Sequence, residues 1–90
     1  MKYALVTGGS RGIGRAVCVK LAQMGYNVLI NFAGNIAAAE ETLRLVREAG
    51  TDGELMKFDV SNAEETRAAI EAWQKAHEDE DEYREILVNN

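Results

Sequence analysis

The residues with the clearest capacity for chemistry are Thr7-Gly8-Gly9-Ser10-Arg11-Gly12-Ile13-Gly14. They lie between a short apolar run and a helix-periodic stretch. A glycine-rich turn in that position lets the backbone approach a phosphate closely, because no Cβ stands in the way. The helix that follows turns unsatisfied N–H groups and its positive dipole end toward the same place. In this reading Gly8 makes the sharp exit from the strand, Gly12 admits a pyrophosphate, and Gly14 lets the helix pack on the sheet. Gly9, Ser10, Arg11 and Ile13 complete the cradle, and the ligand class is a dinucleotide. The bland alternative is a turn that binds nothing; the order strand, loop, helix argues against it. A sharper rival is the triphosphate loop G-x-x-x-x-G-K-[ST], since Gly9 and Gly14 have its spacing. Arg15 and Ala16 stand where it needs lysine and a hydroxyl, so magnesium would lack its protein ligand.

An NAD site places an acid after the second strand, about 20 residues past the glycines, to hold the ribose hydroxyls. Here the corresponding segment is Asn31-Phe32-Ala33-Gly34-Asn35, and the next acid is Glu40. A 2′-phosphate would meet no like charge there, and Arg11 can pair with it through a charge-assisted hydrogen bond. The alternative for Arg11 is a solvated loop arginine. NADP(H) is expected over NAD(H), with Phe32 and Ala33 adjoining the site at the end of the second strand. Other chemical candidates are weak. His77 has no second ligand at metal spacing and reads as a surface histidine. Cys18 neighbours the inward face of the first helix without an adjacent base, so it reads as a small packed residue. The acidic stretch after His77 lacks the alternating ligands and central glycine of a calcium loop. No metal is expected.

The elements that position the loop follow from apolar periodicity. Tyr3 to Thr7, Val28 to Phe32, Leu55 to Val60 and Ile86 to Asn90 read as strands. Between them, Ile13, Val17, Leu21 and Met24 mark the inward face of a first helix that ends at Gly25. A second helix starts from Asn35 as N-cap, turns Leu43 and Val46 inward, and ends at Gly50. Ser61-Asn62-Ala63-Glu64 has capping-box spacing, with Ser61 as cap of a third helix carrying Ile70 and Trp73 on one face. The order βαβαβαβ predicts parallel strands joined by helical crossovers. The fold class is therefore α/β: half of a doubly wound Rossmann fold, sheet order 3-2-1-4, with the switch point between the first and fourth strands. Without prolines, repeats or linker-like segments, residues 1–90 read as a single dinucleotide-binding domain.

The spacing T-G-x-x-x-G-x-G, with Ser-Arg inside and Ile between the last two glycines, resembles the short-chain dehydrogenase/reductases, most closely their 3-oxoacyl-acyl-carrier-protein reductases. The resemblance spans the chain. Asp59-Val60 is similar to the family's adenine-contacting pair, and Ile86-Leu87-Val88-Asn89-Asn90 to the start of its N-N-A-G segment. It implies NADP as cofactor, an Asp59 carboxylate accepting from the adenine amino group, and the Asn90 backbone near the adenine-side ribose. For Asp59 the alternative is a strand-end residue satisfied by local backbone. The resemblance also implies catalysis by a tyrosine with a lysine four residues on, and a serine. None of Tyr3, Tyr26 and Tyr83 has that lysine, and Ser10 and Ser61 belong to the loop and a cap. No catalytic residue is assigned, and turnover by this chain alone is not expected. Two readings result: the NADP(H)-binding portion of a reductase acting on 3-oxoacyl thioesters, or an isolated or engineered half-Rossmann module without turnover.

The net charge of −5 is local. Six acids against Arg84 between Glu78 and Glu85 account for all of it, and the rest of the chain is balanced. This leaves no basic face for nucleic acid and reads as a solvated connection. No run approaches a membrane span, the N-terminus lacks the long apolar stretch of a signal peptide, and one cysteine suits a reducing compartment. A cytoplasmic location is expected. The fourth strand would be an apolar edge, so self-association through it is expected.

Overall fold

The computed structural model describes residues 2–78 and, for the backbone, 85–89. Its elements are β1 (Lys2–Val6), α1 (Gly12–Gln23), β2 (Asn27–Phe32), α2 (Ile36–Glu48), β3 (Gly53–Lys57), α3 (Ala63–Ala76) and β4 (Glu85–Asn89). The strands form one parallel sheet in the order β3-β2-β1-β4. Its register pairs Val6 with Ile30 and with Asn89, and Phe32 with Lys57.

Strand periodicity explains the layering. Successive residues of β1 and β2 point to opposite faces, yet both strands are buried throughout except at their first residues. Ala4, Val6, Val28, Ile30 and Phe32 pack with Cys18, Leu21, Ala22, Ala39 and Val46, so α1 and α2 cover one face. Tyr3, Leu5, Leu29 and Met56 pack with Phe58 and Trp73, which puts α3 on the other. Chain direction across the sheet reverses after β3, and a crossover of fixed hand then deposits its helix on the opposite face. The doubly wound arrangement and its reversal between β1 and β4 agree with expectation.

Three details differ from it. The buried stripe of α1 is Cys18, Leu21 and Ala22, while Ile13 is 85% and Met24 55% exposed. Gly14 holds the inward place in the first turn, so the stripe is rotated by one residue from the Ile13–Met24 face. The third strand begins at Gly53 and ends at Lys57, before Phe58. The cap of α3 is Asn62, not Ser61: its side chain accepts from the Glu65 N–H at 3.0 Å. Ser61 is occupied elsewhere, donating its hydroxyl and its N–H to Asp59 Oδ1. Asn35 caps α2 as expected, accepting from the Ala38 N–H at 3.0 Å.

His77 is not a plain surface histidine. Its ring stacks on Trp73 at 4.2 Å between centroids, and its Nε2 lies 3.2 Å from Glu54 Oε2. The same carboxylate oxygen accepts from Trp73 Nε1, pinning the end of α3 to β3.

Candidate functional site

The carboxyl ends of the strands carry every candidate residue that the structure describes. The glycine loop leaves β1, Ala33 follows β2, and Asp59 and Val60 lie two and three residues past β3. Asn89 pairs with Val6; Asn90 lies outside the described residues. In an open α/β sheet this end, at the reversal of strand order, is where ligands bind.

The loop has the conformation its glycines suggested. Gly8 and Gly12 have φ of 67° and 62°, the left-handed region that side chains disfavour. A Cβ at Gly12 would meet nothing within 4 Å, so its outer side is open. Gly14 is the opposite case. A Cβ there would lie 2.0 Å from the Gly8 carbonyl oxygen, so the first turn of α1 sits directly on the loop. Gly14 thus packs the helix against Gly8 and Gly9 rather than against the sheet proper. Gly9 is buried over Cys18, whose Sγ would be 2.9 Å from an added Cβ. Burial pushes the Cys18 thiol up to about 12, as befits a packed residue and not a nucleophile.

Among the described residues, the N–H groups of Arg11, Gly12 and Ile13 have no acceptor. The first intrahelical bond runs from the Arg15 N–H to the Arg11 carbonyl. Three free donors on an open glycine backbone, at the positive end of a helix, form a cradle suited to an anion. The Arg11 side chain is exposed, with no ion pair among the described residues.

Two devices that hold the loop were absent from the sequence reading. Asn31 is 2% exposed within a strand of apolar neighbours. Its side-chain oxygen accepts from the Gly8 N–H at 3.0 Å, and its amide donates to the carbonyls of Phe58 at 2.9 Å and Met56 at 3.3 Å. The Gly9 N–H donates to the Asn31 backbone carbonyl. One side chain therefore ties the start of the loop to the ends of β2 and β3, with its polar atoms satisfied. On the other side, Arg15 donates from Nη2 to the Ser10 carbonyl at 2.7 Å and the Ala38 carbonyl at 2.9 Å. Its Nε donates to Thr42 Oγ1 at 2.9 Å, and the buried Thr42 hydroxyl lies 3.1 Å from the Ser10 carbonyl. The only sequence signals were a lone amide inside an apolar strand and an arginine just past the last glycine.

The remaining candidates are placed as follows. The Phe32 ring is buried in the α1/α2 core, and its carbonyl accepts from the Phe58 N–H, so it offers no side chain to a ligand. Ala33 is exposed. Val60 is exposed as well. Asp59 Oδ1 accepts from Ser61 Oγ at 2.7 Å and from the Ser61 N–H at 2.9 Å, and these bonds hold its carboxyl below the usual range. That is the local satisfaction weighed earlier, and it leaves Oδ2 unengaged among the described residues. A cavity of about 190 Å³ lined by Tyr3, Asn27, Leu29, Asp52, Gly53 and Glu54 lies at the amino ends of the strands. It is at the wrong end of the sheet for a dinucleotide.

Comparison with known proteins agrees with this geometry. The family description "short chain dehydrogenase" matches residues 2–90. The 3-oxoacyl-[acyl-carrier-protein] reductase FabG of Staphylococcus aureus is 44% identical over 69 residues, 77% of this chain and 28% of that protein. The L-rhamnose 1-dehydrogenase (NADP(+)) of Thermoplasma acidophilum is 40% identical over 93 residues, 99% of this chain and 34% of that protein. The chain thus spans about a third of the length of these relatives. The solved structure of LugOII, a promiscuous reductase that catalyses keto-reduction at C1 during lugdunomycin biosynthesis, superposes with a TM-score of 0.76 at 34% identity, covering 89% of this chain and 33% of that one. Matched by that family over residues 2–90 and built on a parallel sheet that reverses between β1 and β4, the chain belongs to the short-chain dehydrogenases.

Proposed function

We propose that residues 1–90 form a dinucleotide-binding unit that takes NADP(H) in preference to NAD(H), within an oxidoreductase reducing 3-oxoacyl thioesters of acyl carrier protein. The observation that carries the reading is the set of free N–H groups on Arg11, Gly12 and Ile13, beside an open Gly12. Gly8, Gly9, Ser10, Arg11, Gly12, Ile13 and Gly14 hold the pyrophosphate. Ala33 and the Phe32 backbone border the ribose, Asp59 Oδ2 and Val60 meet the adenine, and the Asn90 backbone adjoins the neighbouring ribose. When bound, the nicotinamide exchanges a hydride with a carbonyl or alcohol carbon.

The preference for a 2′-phosphate rests on charge. No acid lies between Asn31 and Asn35, and Arg11 stands exposed at the start of α1. The names of two relatives support the finer assignment, one an acyl-carrier-protein reductase and one NADP(+)-dependent. Calorimetric titration of NADP+ and NAD+ into the chain tests it. NADP+ should bind more tightly, and Arg11→Ala should weaken NADP+ alone by roughly tenfold, the worth of one exposed charge-assisted contact. Equal affinities, or tighter NAD+, would refute the preference; no binding of either would remove the dinucleotide.

A second reading is a nucleotide-binding module without turnover. It is favoured by the absence of any Tyr-x-x-x-Lys in the 90 residues. Robust NADPH oxidation with an acetoacetyl thioester by this chain would overturn it. β4 pairs with β1 and with no other strand among the described residues. Strand edges of that kind pair with copies of themselves, so self-association is expected, and a strictly monomeric species at high concentration in light scattering contradicts it. No helix among the described residues is long and apolar enough to cross a membrane, and a cytoplasmic location accords with the single buried Cys18.

A further inference from the structure

We infer that Arg15 and Thr42 are positioning residues that set the direction of the Arg11 N–H, and that Arg15 acts through hydrogen-bond geometry and not through its charge. The inference rests on the dinucleotide reading above and adds residues outside the glycine motif to it. No peptide bond among the described residues is cis. In a planar trans peptide the carbonyl of one residue and the N–H of the next point in opposite directions. The Ser10 carbonyl is gripped by Arg15 Nη2 at 2.7 Å and approached by Thr42 Oγ1 at 3.1 Å, one group from α1 and one from α2. It is thereby turned inward, against the two helices. The Arg11 N–H of the same peptide must then face outward, on the open side of the loop. Released from the grip, this peptide can rotate and present a carbonyl oxygen to the phosphate, replacing an attraction with a repulsion.

The grip is itself held rigid. The same Nη2 donates to the Ala38 carbonyl at 2.9 Å, and Nε donates to Thr42 at 2.9 Å. Thr42 is wholly buried, and its hydroxyl has two acceptors within reach, the Ser10 carbonyl at 3.1 Å and the more distant Ala38 carbonyl at 3.4 Å. Three acceptors are thus served by one planar fork. Lysine, a flexible point charge, cannot reproduce that arrangement. The contact falls on the pyrophosphate segment, common to both dinucleotides, and not on the 2′-phosphate that distinguishes them.

The test compares Arg15→Lys, Arg15→Met, Thr42→Val and Thr42→Ser, titrated with NADP+ and with NAD+ by calorimetry at a temperature where circular dichroism shows each variant folded. Arg15→Lys, Arg15→Met and Thr42→Val should each weaken both dinucleotides by a similar factor, roughly tenfold for one misdirected donor, so that the NADP+/NAD+ ratio stays at the wild-type value. Thr42→Ser, which keeps the hydroxyl, should bind as the wild type does. If the folded variants bind both dinucleotides normally, the clamp is only packing and the inference falls. Normal binding by Arg15→Lys alone would return the effect to charge and overturn it equally. Loss confined to NADP+ would make Arg15 a direct ligand of the 2′-phosphate, which also overturns it. Failure of the dinucleotide reading shows itself differently, in a wild-type chain that binds neither ligand.

Discussion

Gly14→Ala is a severe test of the loop geometry because two familiar effects oppose each other there. Alanine in place of glycine inside a helix ordinarily stabilises by about 1 kcal/mol. At Gly14 the added methyl would lie 2.0 Å from the Gly8 carbonyl oxygen, 2.7 Å from the Gly8 carbonyl carbon and 3.1 Å from the Gly9 Cα. All three atoms are backbone, so no rotamer change relieves the overlap; α1 and the loop must separate by about 1 Å or more to restore ordinary contact. Overpacking a close-packed site costs about 1–3 kcal/mol, and an overlap this deep belongs at or beyond the upper end. Subtracting the helix gain leaves a net loss of about 2 kcal/mol. In a chain of this size that lowers Tm by roughly 10 °C. Gly34→Ala is the matched control. Its φ is not in the left-handed region and nothing lies within 4 Å of an added Cβ, so Tm should hold or rise slightly. The measurement is thermal unfolding by circular dichroism, with NADP+ titration on the folded variants. Gly14→Ala melting at or above the wild type would show that α1 does not rest on the loop, and the described cradle would be wrong.

Three further outcomes follow from the same contacts. Asn31→Leu leaves the Gly8 N–H and the Phe58 and Met56 carbonyls without their shared partner; a loss of about 2–3 kcal/mol in urea unfolding is expected, and a neutral result would mean that the amide does not anchor the loop. Cys18, wholly buried with its thiol at about 12, should react with a disulfide reagent far more slowly in the native protein than in urea, and equal rates would contradict that burial. Acid should destabilise the chain through Glu41, Asp52 and Asp59, whose carboxyls are lowered chiefly by Arg44, Arg47 and Ser61 respectively. Carboxyls lowered by folding add stability above their ordinary values of 4.5 for Glu and 3.8 for Asp and lose it as the pH falls through the folded values. Tm should therefore be level from about pH 7 to 5 and decline below about pH 4, and a rise on acidification would reverse the assignment.

How much of this was legible in the sequence depended on whether the signal was local. The strands were readable because Tyr3-Ala4-Leu5-Val6 and Val28-Leu29-Ile30 are continuous apolar runs, as a sheet covered on both faces requires. Their order followed from alternation with helices and the handedness of crossovers. The face of α1 was misread because a residue without a side chain occupies its most important inward position. A search for large apolar residues slides past Gly14 and settles on Ile13. The cap of α3 slipped by one residue for a related reason: Ser61-x-x-Glu64 and Asn62-x-x-Glu65 have identical spacing. Ser61 loses because Asp59 engages both its hydroxyl and its N–H. His77 read as a surface residue because its partners, Glu54 and Trp73, come from a different strand and from the preceding helical turn.

The glycine motif specifies the path of the loop, but its rigidity comes from outside the motif. Asn31 and Thr42 are 23 and 32 residues from the loop atoms they serve, on β2 and α2, and no short pattern could announce them. Glycine is the residue that loses most freedom on ordering, so a loop with Gly8, Gly9 and Gly12 in sequence would fluctuate widely if left alone. A donor array that fluctuates binds weakly, because the ligand must supply the ordering free energy. Here the order is installed beforehand: Asn31 holds the first turn from the sheet side, and Arg15 with Thr42 holds the Ser10 peptide from the helix side. Chains sharing the motif but lacking these two anchors should have the fold and bind dinucleotides less well.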